Sequence, residues 1–330
     1  MKFKNIISLK VFVLLGISLS LLTSCGVKES PEQVIENFKQ QISEVQSAVI
    51  TSEVVMTGVD DEDSVDFTAD IDFQFDRSDE TNRKSDINVV MGGMMTAADK
   101  VLEGDLDFNI RTLGENYYVQ LNELESSDET IQSIQPFLAI YIGKWLHIAD
   151  DFIPENIREL QQKSEETLTK EAQVKELFIT TNLFDVTKDY GVETINGKKV
   201  YHFGVQFNEA GIQDYIRKAA VIDGRELTEA EVAEASKIAS YITDAQLWIG
   251  TKDYYLYKAS ASMTGGAIQS NVDMNIDIVI EAANYNKSIN IEAPEDAQEF
   301  NPLELLMGFS TATMDMNDGL VEDDLGEVVE

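Results

Sequence analysis

The chain has 330 residues, 60 of them acidic and 25 basic, for a formal charge of −35. That charge repels phosphate backbones, and no cluster of Lys or Arg interleaved with aromatics offsets it, so nucleic acid is excluded as a partner and a basic patch as a membrane tether. Apolar residues make up 43%, enough to fill a substantial core, which separates the chain from disordered acidic proteins.

The N-terminus carries Lys2, Lys4 and Lys10, then an apolar run from Val11 to Leu22, then Leu22-Thr23-Ser24-Cys25-Gly26. This is the layout of a secretion signal. The uninterrupted run of roughly a dozen residues falls short of the ~20 that span a bilayer. Its end reads as a lipobox: a branched apolar residue, two small residues and a cysteine whose thiol receives a diacylglyceryl group. Cys25 is the sole cysteine. Cleavage by an ordinary signal peptidase would leave it as an unpaired thiol in an exported protein, an unusual arrangement. The expectation is therefore a signal peptide over residues 1–24, lipidation at Cys25 with diacylglycerol and an N-acyl chain, and a short tether over 25–30. The protein would be exported and held by its acyl chains on the extracytoplasmic face of a bacterial membrane. Loss of residues 1–24 removes three lysines and no acid, moving the charge from −35 to about −38.

A helix is predicted next. Ser30 is its N-cap, Pro31 its first residue and Gln33 completes a capping box, with Val34, Ile35, Phe38, Ile42 and Val45 on one face. The period then changes to two. Ile50, Val54 and Met56 share a parity, and Val65, Phe67, Ala69, Ile71, Phe73 and Phe75 alternate with Asp66, Thr68, Asp70, Asp72, Gln74 and Asp76. That pattern is a long antiparallel strand with one buried and one wet face. Further strands are expected at 87–91, 106–110 and 117–121, the last after a hairpin through Gly114-Glu115-Asn116. Residues 128–168 read as more helical, with Ile131, Ile134, Leu138 and Tyr141 on one face and Pro154 opening a helix that carries Ile157 and Leu160.

Strand character returns at 192–195. Asn196-Gly197 then signals a tight hairpin, because both turn positions need positive φ. The strand that follows places Tyr201, Phe203, Val205 and Phe207 on one side. Two helices come next, one capped by Asn208 and one opened by the Thr228–Glu231 capping box and carrying Val232, Ala235, Ile238 and Ile242. Strands are predicted at 245–249, 255–263 and 272–280, the last with Val272, Met274, Ile276, Ile278 and Ile280 on one side. A short one is expected at 289–291. Beyond about residue 302 the chain is rich in Asp and Glu and is expected to be disordered. The fold class is α+β: one extended antiparallel sheet with helices on its apolar side, in a single domain over residues 31–301.

Catalytic signatures are sparse. His147 and His202 are the two histidines, and neither has a serine elbow or a cysteine to work with. Zinc would need more soft or imidazole ligands than the chain offers. Asp185-x-Thr187-x-Asp189 begins like a calcium loop but has Tyr190 where the glycine is needed. The acidic turn Asp60-Asp61-Glu62-Asp63 is at most a weak cation site. Gly92-Gly93 and Gly265-Gly266 read as turns or bulges. No enzyme, cofactor or metal is expected. What remains is the apolar parity itself, with Phe67, Ile71, Phe73, Phe75, Phe108, Tyr201, Phe203, Phe207, Met274 and Ile276 as candidate lining of a cavity for an acyl chain. A solid core needs the same residues, so pattern alone does not separate the two.

Several phrases occur together with the lipobox and the first helix: Gly143-Lys144-Trp145-Leu146, Ile195-Asn196-Gly197-Lys198-Lys199-Val200-Tyr201, Leu247-Trp248-Ile249-Gly250 and Ile289-Asn290-Ile291-Glu292-Ala293-Pro294. In this the chain resembles the LppX/LprG-type envelope lipoproteins and the broader LolA/LolB-like group, over roughly residues 31–300. The resemblance implies an unclosed β-barrel, a curved antiparallel sheet with helices packed on its concave apolar side. It also implies that the cavity holds a lipid or another hydrophobic ligand for carriage across the envelope. The strongly acidic surface and tail depart from that group. The alternative is a solid-core lipoprotein that presents its acidic face to a protein partner.

Overall fold

A computed structural model describes residues 29–59, 63–79, 81–97, 100–149, 152–153, 165–264 and 273–300. The expected signal peptide, Cys25, the helix after Pro154, Gly265-Gly266, Val272 and the acidic tail lie outside these residues. The described chain forms helices α1 (Pro31–Ser43), α2 (Glu129–Leu138), α3 (Glu165–Thr180), α4 (Glu209–Ile222) and α5 (Glu229–Tyr241). Its strands are β1 (Ser47–Val59), β2 (Ser64–Asp76), β3 (Lys84–Ala97), β4 (Lys100–Leu113), β5 (Asn116–Ser126), β6 (Trp145–Ile148), β7 (Phe184–Ile195), β8 (Lys198–Phe207), β9 (Ile242–Gly250), β10 (Leu256–Thr264), β11 (Asp273–Ala283) and β12 (Gln298–Phe300).

All twelve strands belong to one sheet, in the order β12-β6-β5-β4-β3-β2-β1-β11-β10-β9-β8-β7. Pairing is antiparallel throughout except for β12 on β6. The edge strands β12 and β7 do not pair with each other, so the curved sheet stays open as an unclosed barrel.

Local chemistry sets the helix starts. Ser30 accepts from Gln33 N and the Gln33 side chain accepts from Ser30 N, which closes the capping box that opens α1. Thr228 and Glu231 do the same for α5, and Asn208 caps α4. Between β7 and β8 the hairpin turns on Asn196 at φ 48° and Gly197 at φ 77°, as the residue pair requires.

The strands are longer than their alternating cores suggested. β3 and β4 each run for 14 residues, because paired neighbours carry the ladder into polar and glycine-containing ends. Gly92-Gly93 is neither turn nor bulge: both residues sit inside β3 in unshifted register with β2 and β4. A Cβ on Gly93 would lie 2.4 Å from Asp66 O and 2.7 Å from Phe67 Cα, so the backbones of β2 and β3 approach there as only glycine permits.

Three further expectations are corrected. Ile242 caps α5 and begins β9 instead of extending the helix. Residues 289–291 are irregular, and the strand near this position is β12, three residues that pair in parallel with β6. Trp145–Ile148 is a strand, where the pattern read as part of a helical stretch. His147 ties that edge together, its Nδ1 lying 2.8 Å from Glu299 Oε1 on β12.

One face of the sheet carries the helices. Val34, Ile35 and Phe38 of α1 pack on Phe203 and Val205 of β8 and on Ala245, Leu247 and Ile249 of β9, forming the main core. In the other half of the sheet α2 is held on β5, where Gln135 Nε2 donates to Leu124 O and Gln132 Nε2 donates to Ser126 O. α4 and α5 pack on each other, burying Ala220 and Val232.

Gly93→Ala should lower stability by about 1–3 kcal/mol in urea denaturation, the usual range for overpacking against atoms that cannot move aside. Gly92→Ala should cost clearly less, because its added Cβ meets the Asp105 carboxylate, a side chain able to rotate away.

Candidate functional site

The other face of the sheet is polar and is cross-linked by side chains. Arg111 donates to both Asp86 oxygens at 2.9 Å, and Gln74 Nε2 donates to Asp86 as well. Asn88 donates to Asp107 and Asn109, and Asn109 donates to Gln120. His202 lies on this face, stacked between Tyr190 at 4.2 Å and Trp248 at 4.3 Å, with Gln246 Oε1 2.8 Å from its Nε2. Lys188 sits over Tyr190 and Lys258 over Trp248, and Trp248 Nε1 donates to Glu193. This is a closed stack whose groups already have partners, so His202 serves the sheet. Burial pushes the hydroxyls of Tyr257 and Tyr285 up from the ordinary tyrosine range. Among the described residues no group of three His, Cys, Asp or Glu could hold a metal ion.

The ten candidate lining residues share the helix-bearing face. Register links them: Phe75 opposes Ala48, Phe73 opposes Ile50, Ile71 opposes Ser52 and Phe67 opposes Met56. Met56 also opposes Ile276, and Gly58 opposes Met274. Val89 joins Ile71 to Phe108. On β8, Tyr201 and Phe203 oppose Ile249 and Leu247. Phe73 and Phe75 stack at 5.4 Å, and Phe207 meets Phe184 at 5.2 Å.

These residues do not surround one space. Phe203, 2% exposed, is sealed beneath α1 with Ile249 at 0%. Tyr201 and Phe207 are partly buried against the same cluster. Across β1, β2 and β4 the same face is different: its buried residues are the small ones, Ala48, Gly58 and Ala69, while the large side chains keep part of their surface accessible.

At the far end of these strands lies an open groove of about 550 Å³. Met56, Val65, Phe67, Met95 and Leu102 give it an apolar wall, and Glu103, Ser126 and Asp128 complete the lining with Met94. Gly93 and Gly104 oppose each other in register and leave room where side chains would stand. The described methionines Met56, Met91, Met94, Met95, Met263 and Met274 all fall in the halves of β1, β3, β10 and β11 nearest this end. Unbranched, polarizable methionine fills irregular spaces and adapts to varied occupants.

Of the ten candidates, Phe67 lines this groove. Val65, Met95 and Leu102 were not singled out, because each sits near a strand end where the alternation is about to stop. A larger concavity of about 1240 Å³ lies between α1, the end of α3 and β7. Glu32, Glu36, Glu44, Glu176 and Asp185 line it, which makes it a solvated cleft. Lys39 is buried beside it at 8% exposure, its Nζ donating to Thr181 O at 2.8 Å, and burial pulls its pKa below the usual lysine range.

No family model matches the chain, and no curated protein matches it. Solved structures similar to it include the lipoprotein LppX of Mycobacterium tuberculosis, at 13% identity over 80% of this chain and 100% of that one, with a TM-score of 0.31. Another is a LolA superfamily protein of Nitrosomonas europaea, at 9% identity over 78% of this chain and 94% of that one, with a TM-score of 0.17. What this chain binds has to be argued from its own residues.

Phe203→Ala should cost about 3–5 kcal/mol of stability, the range for emptying a sealed aromatic site. Phe67→Ala should cost about 1–2 kcal/mol, since its wall faces an open groove. Chemical denaturation of the two variants would check the contrast, and equal losses would show that the groove region is packed as tightly as the core under α1.

Proposed function

We propose that the protein is a non-catalytic, membrane-anchored lipoprotein that holds a lipid or other hydrophobic ligand on the apolar face of its half-barrel, as a carrier or chaperone. One observation supports this reading above the others. The same sheet face that is sealed under α1 continues into an apolar groove of about 550 Å³ whose large side chains remain accessible. That volume lies within the ~300–1,000 Å³ range of ligand pockets. Apolar burial drives binding, at about 25 cal/mol per Å² removed from water. The carrier function ascribed here agrees with the envelope lipoprotein resemblance carried by the lipobox and the strand-end phrases.

Protein purified from Gly26 onward keeps every described residue and lacks the anchor. Its organic-solvent extract, examined by mass spectrometry, should contain lipid in about one-to-one ratio with the chain. An extract free of lipid, from protein whose groove also takes up no added amphiphile, would favour the solid-core interaction module instead.

The anchor has its own test. Cys25→Ser should abolish labelling by a radioactive fatty acid and prevent lipid-dependent retention in the membrane fraction. Acyl labelling that persists in the variant would remove Cys25 from its proposed role.

A further inference from the structure

Three turns meet at the end of the sheet from which the N-terminal chain departs: residues 194–199 joining β7 to β8, 250–257 joining β9 to β10, and 283–288 after β11. Thr251 N donates to Lys199 O at 3.0 Å, Lys198 stands over the Tyr257 ring, and Tyr255 stacks on Tyr285 at 4.3 Å. These contacts make the turns one surface, with a recess of about 420 Å³ lined in part by Asn196, Lys198, Tyr255, Tyr257, Tyr285 and Lys287.

The surface is unlike the rest of the chain. Acids outnumber bases 60 to 25 overall, yet these segments carry Lys198, Lys199, Lys252 and Lys287 against Asp253 alone. All four lysines are exposed, and none is paired with a described carboxylate. The nearby acids are engaged: Asp253 accepts from Tyr257 Oη at 2.7 Å, and Glu281 lies 3.8 Å from Lys258. Along the sequence the lysines are too scattered to read as a basic cluster. Folding brings them together.

The chain that precedes Glu29 limits where this surface can be. Glu29 accepts from Tyr254 Oη at 2.7 Å, and Cys25 is four residues before it. Four residues span at most about 14 Å. With Cys25 held at a bilayer, the turns cannot be far from the head groups.

We infer that these three turns are the face that rests on an anionic phospholipid bilayer, with the lysines on lipid phosphates and the tyrosines at the interface. The inference rests on the anchored reading proposed above and adds the surface of contact. Acyl chains tether the protein, and the turns set which end faces the membrane. Lysine near an anionic leaflet is attracted to it, and tyrosine suits a boundary that is apolar on one side and wet on the other. The opposite ends of β3, β4 and β5 offer no such match, since Glu103, Asp105 and Glu125 stand there with Lys100 as the one base.

Cys25 is the sole cysteine. A chain beginning there can be coupled through its thiol to a maleimide lipid in vesicles, which supplies the anchor without cellular acylation. Vesicles of phosphatidylcholine alone are compared with vesicles that also contain phosphatidylglycerol. Lysines are acetylated briefly, and the extent at each is read by mass spectrometry. On the anionic vesicles Lys198, Lys252 and Lys287 should react about threefold more slowly than on the neutral ones, while Lys100 keeps its rate. In about 0.5 M salt the difference should shrink. Lys252→Gln should reduce the protection of Lys198 and Lys287. Lys100→Gln makes the same change in net charge and should not, with circular dichroism showing that both variants fold.

Equal rates on the two kinds of vesicle, or protection of Lys100 as strong as that of the turns, would overturn the inference. Neither result bears on acylation of Cys25, which fatty-acid labelling tests by itself.

Discussion

An uninterrupted hydrogen-bonded ladder running from β11 through β1, β2 and β3 to β4 governs the molecule. No register shift occurs in any of these pairings, whereas β4–β5 contains one and β7–β8 and β9–β10 contain two each. Since side chains alternate with a period of two, unshifted pairing keeps one parity on one face across five strands. A slip of a single residue would place Asp66, Asp70 and Asp72 among the apolar side chains of β1. The ladder therefore separates the acids from the apolar surface, and both the polar cross-links and the groove are consequences of that separation.

The apolar face so produced is too wide for the described helices to cover evenly. α1 lies on β8 and β9 and turns that part into a dry core. α2 reaches the β5 edge, and its Asp128 cap forms part of the groove lining. Between them the face of β1–β4 ends in methionine, valine and glycine. Opposed Gly93 and Gly104 remove side chains where β3 and β4 would otherwise fill the space, and the backbone approach at Gly93 fixes that choice sterically. Core and groove are thus one surface, distinguished by what sits above it.

Much of this was legible in the residues. Capping boxes at Ser30 and Thr228 and the Asn196-Gly197 turn are local chemistry, and local chemistry reads directly. Strict alternation along β2 gave both its faces. The elements that escaped lack a local signature: β6 is four residues long and β12 three, and each is a strand only because the other is beside it. α3 was hidden by an apolar face thin enough that Leu177 is its buried residue among the large aliphatics. For the site, parity correctly placed Phe67, Phe108, Phe203 and Met274 on one face. It gave no information on which of them α1 would cover, because coverage depends on contacts distant in sequence.

Glu29 gives the molecule a direction. It accepts from Tyr254 Oη at 2.7 Å, at the turn between β9 and β10, so the N-terminal chain departs from the strand ends that carry the β7–β8 and β2–β3 turns. The groove opens at the other ends, where β1 finishes and β4 begins. With 13 residues in β1, the two ends are about 40 Å apart along the strand. A flat surface pressed against one end has the other end turned away from it. If the protein stands on a lipid attached at Cys25 and the groove holds a ligand, both as proposed, that ligand is carried outward, offered to whatever faces the membrane.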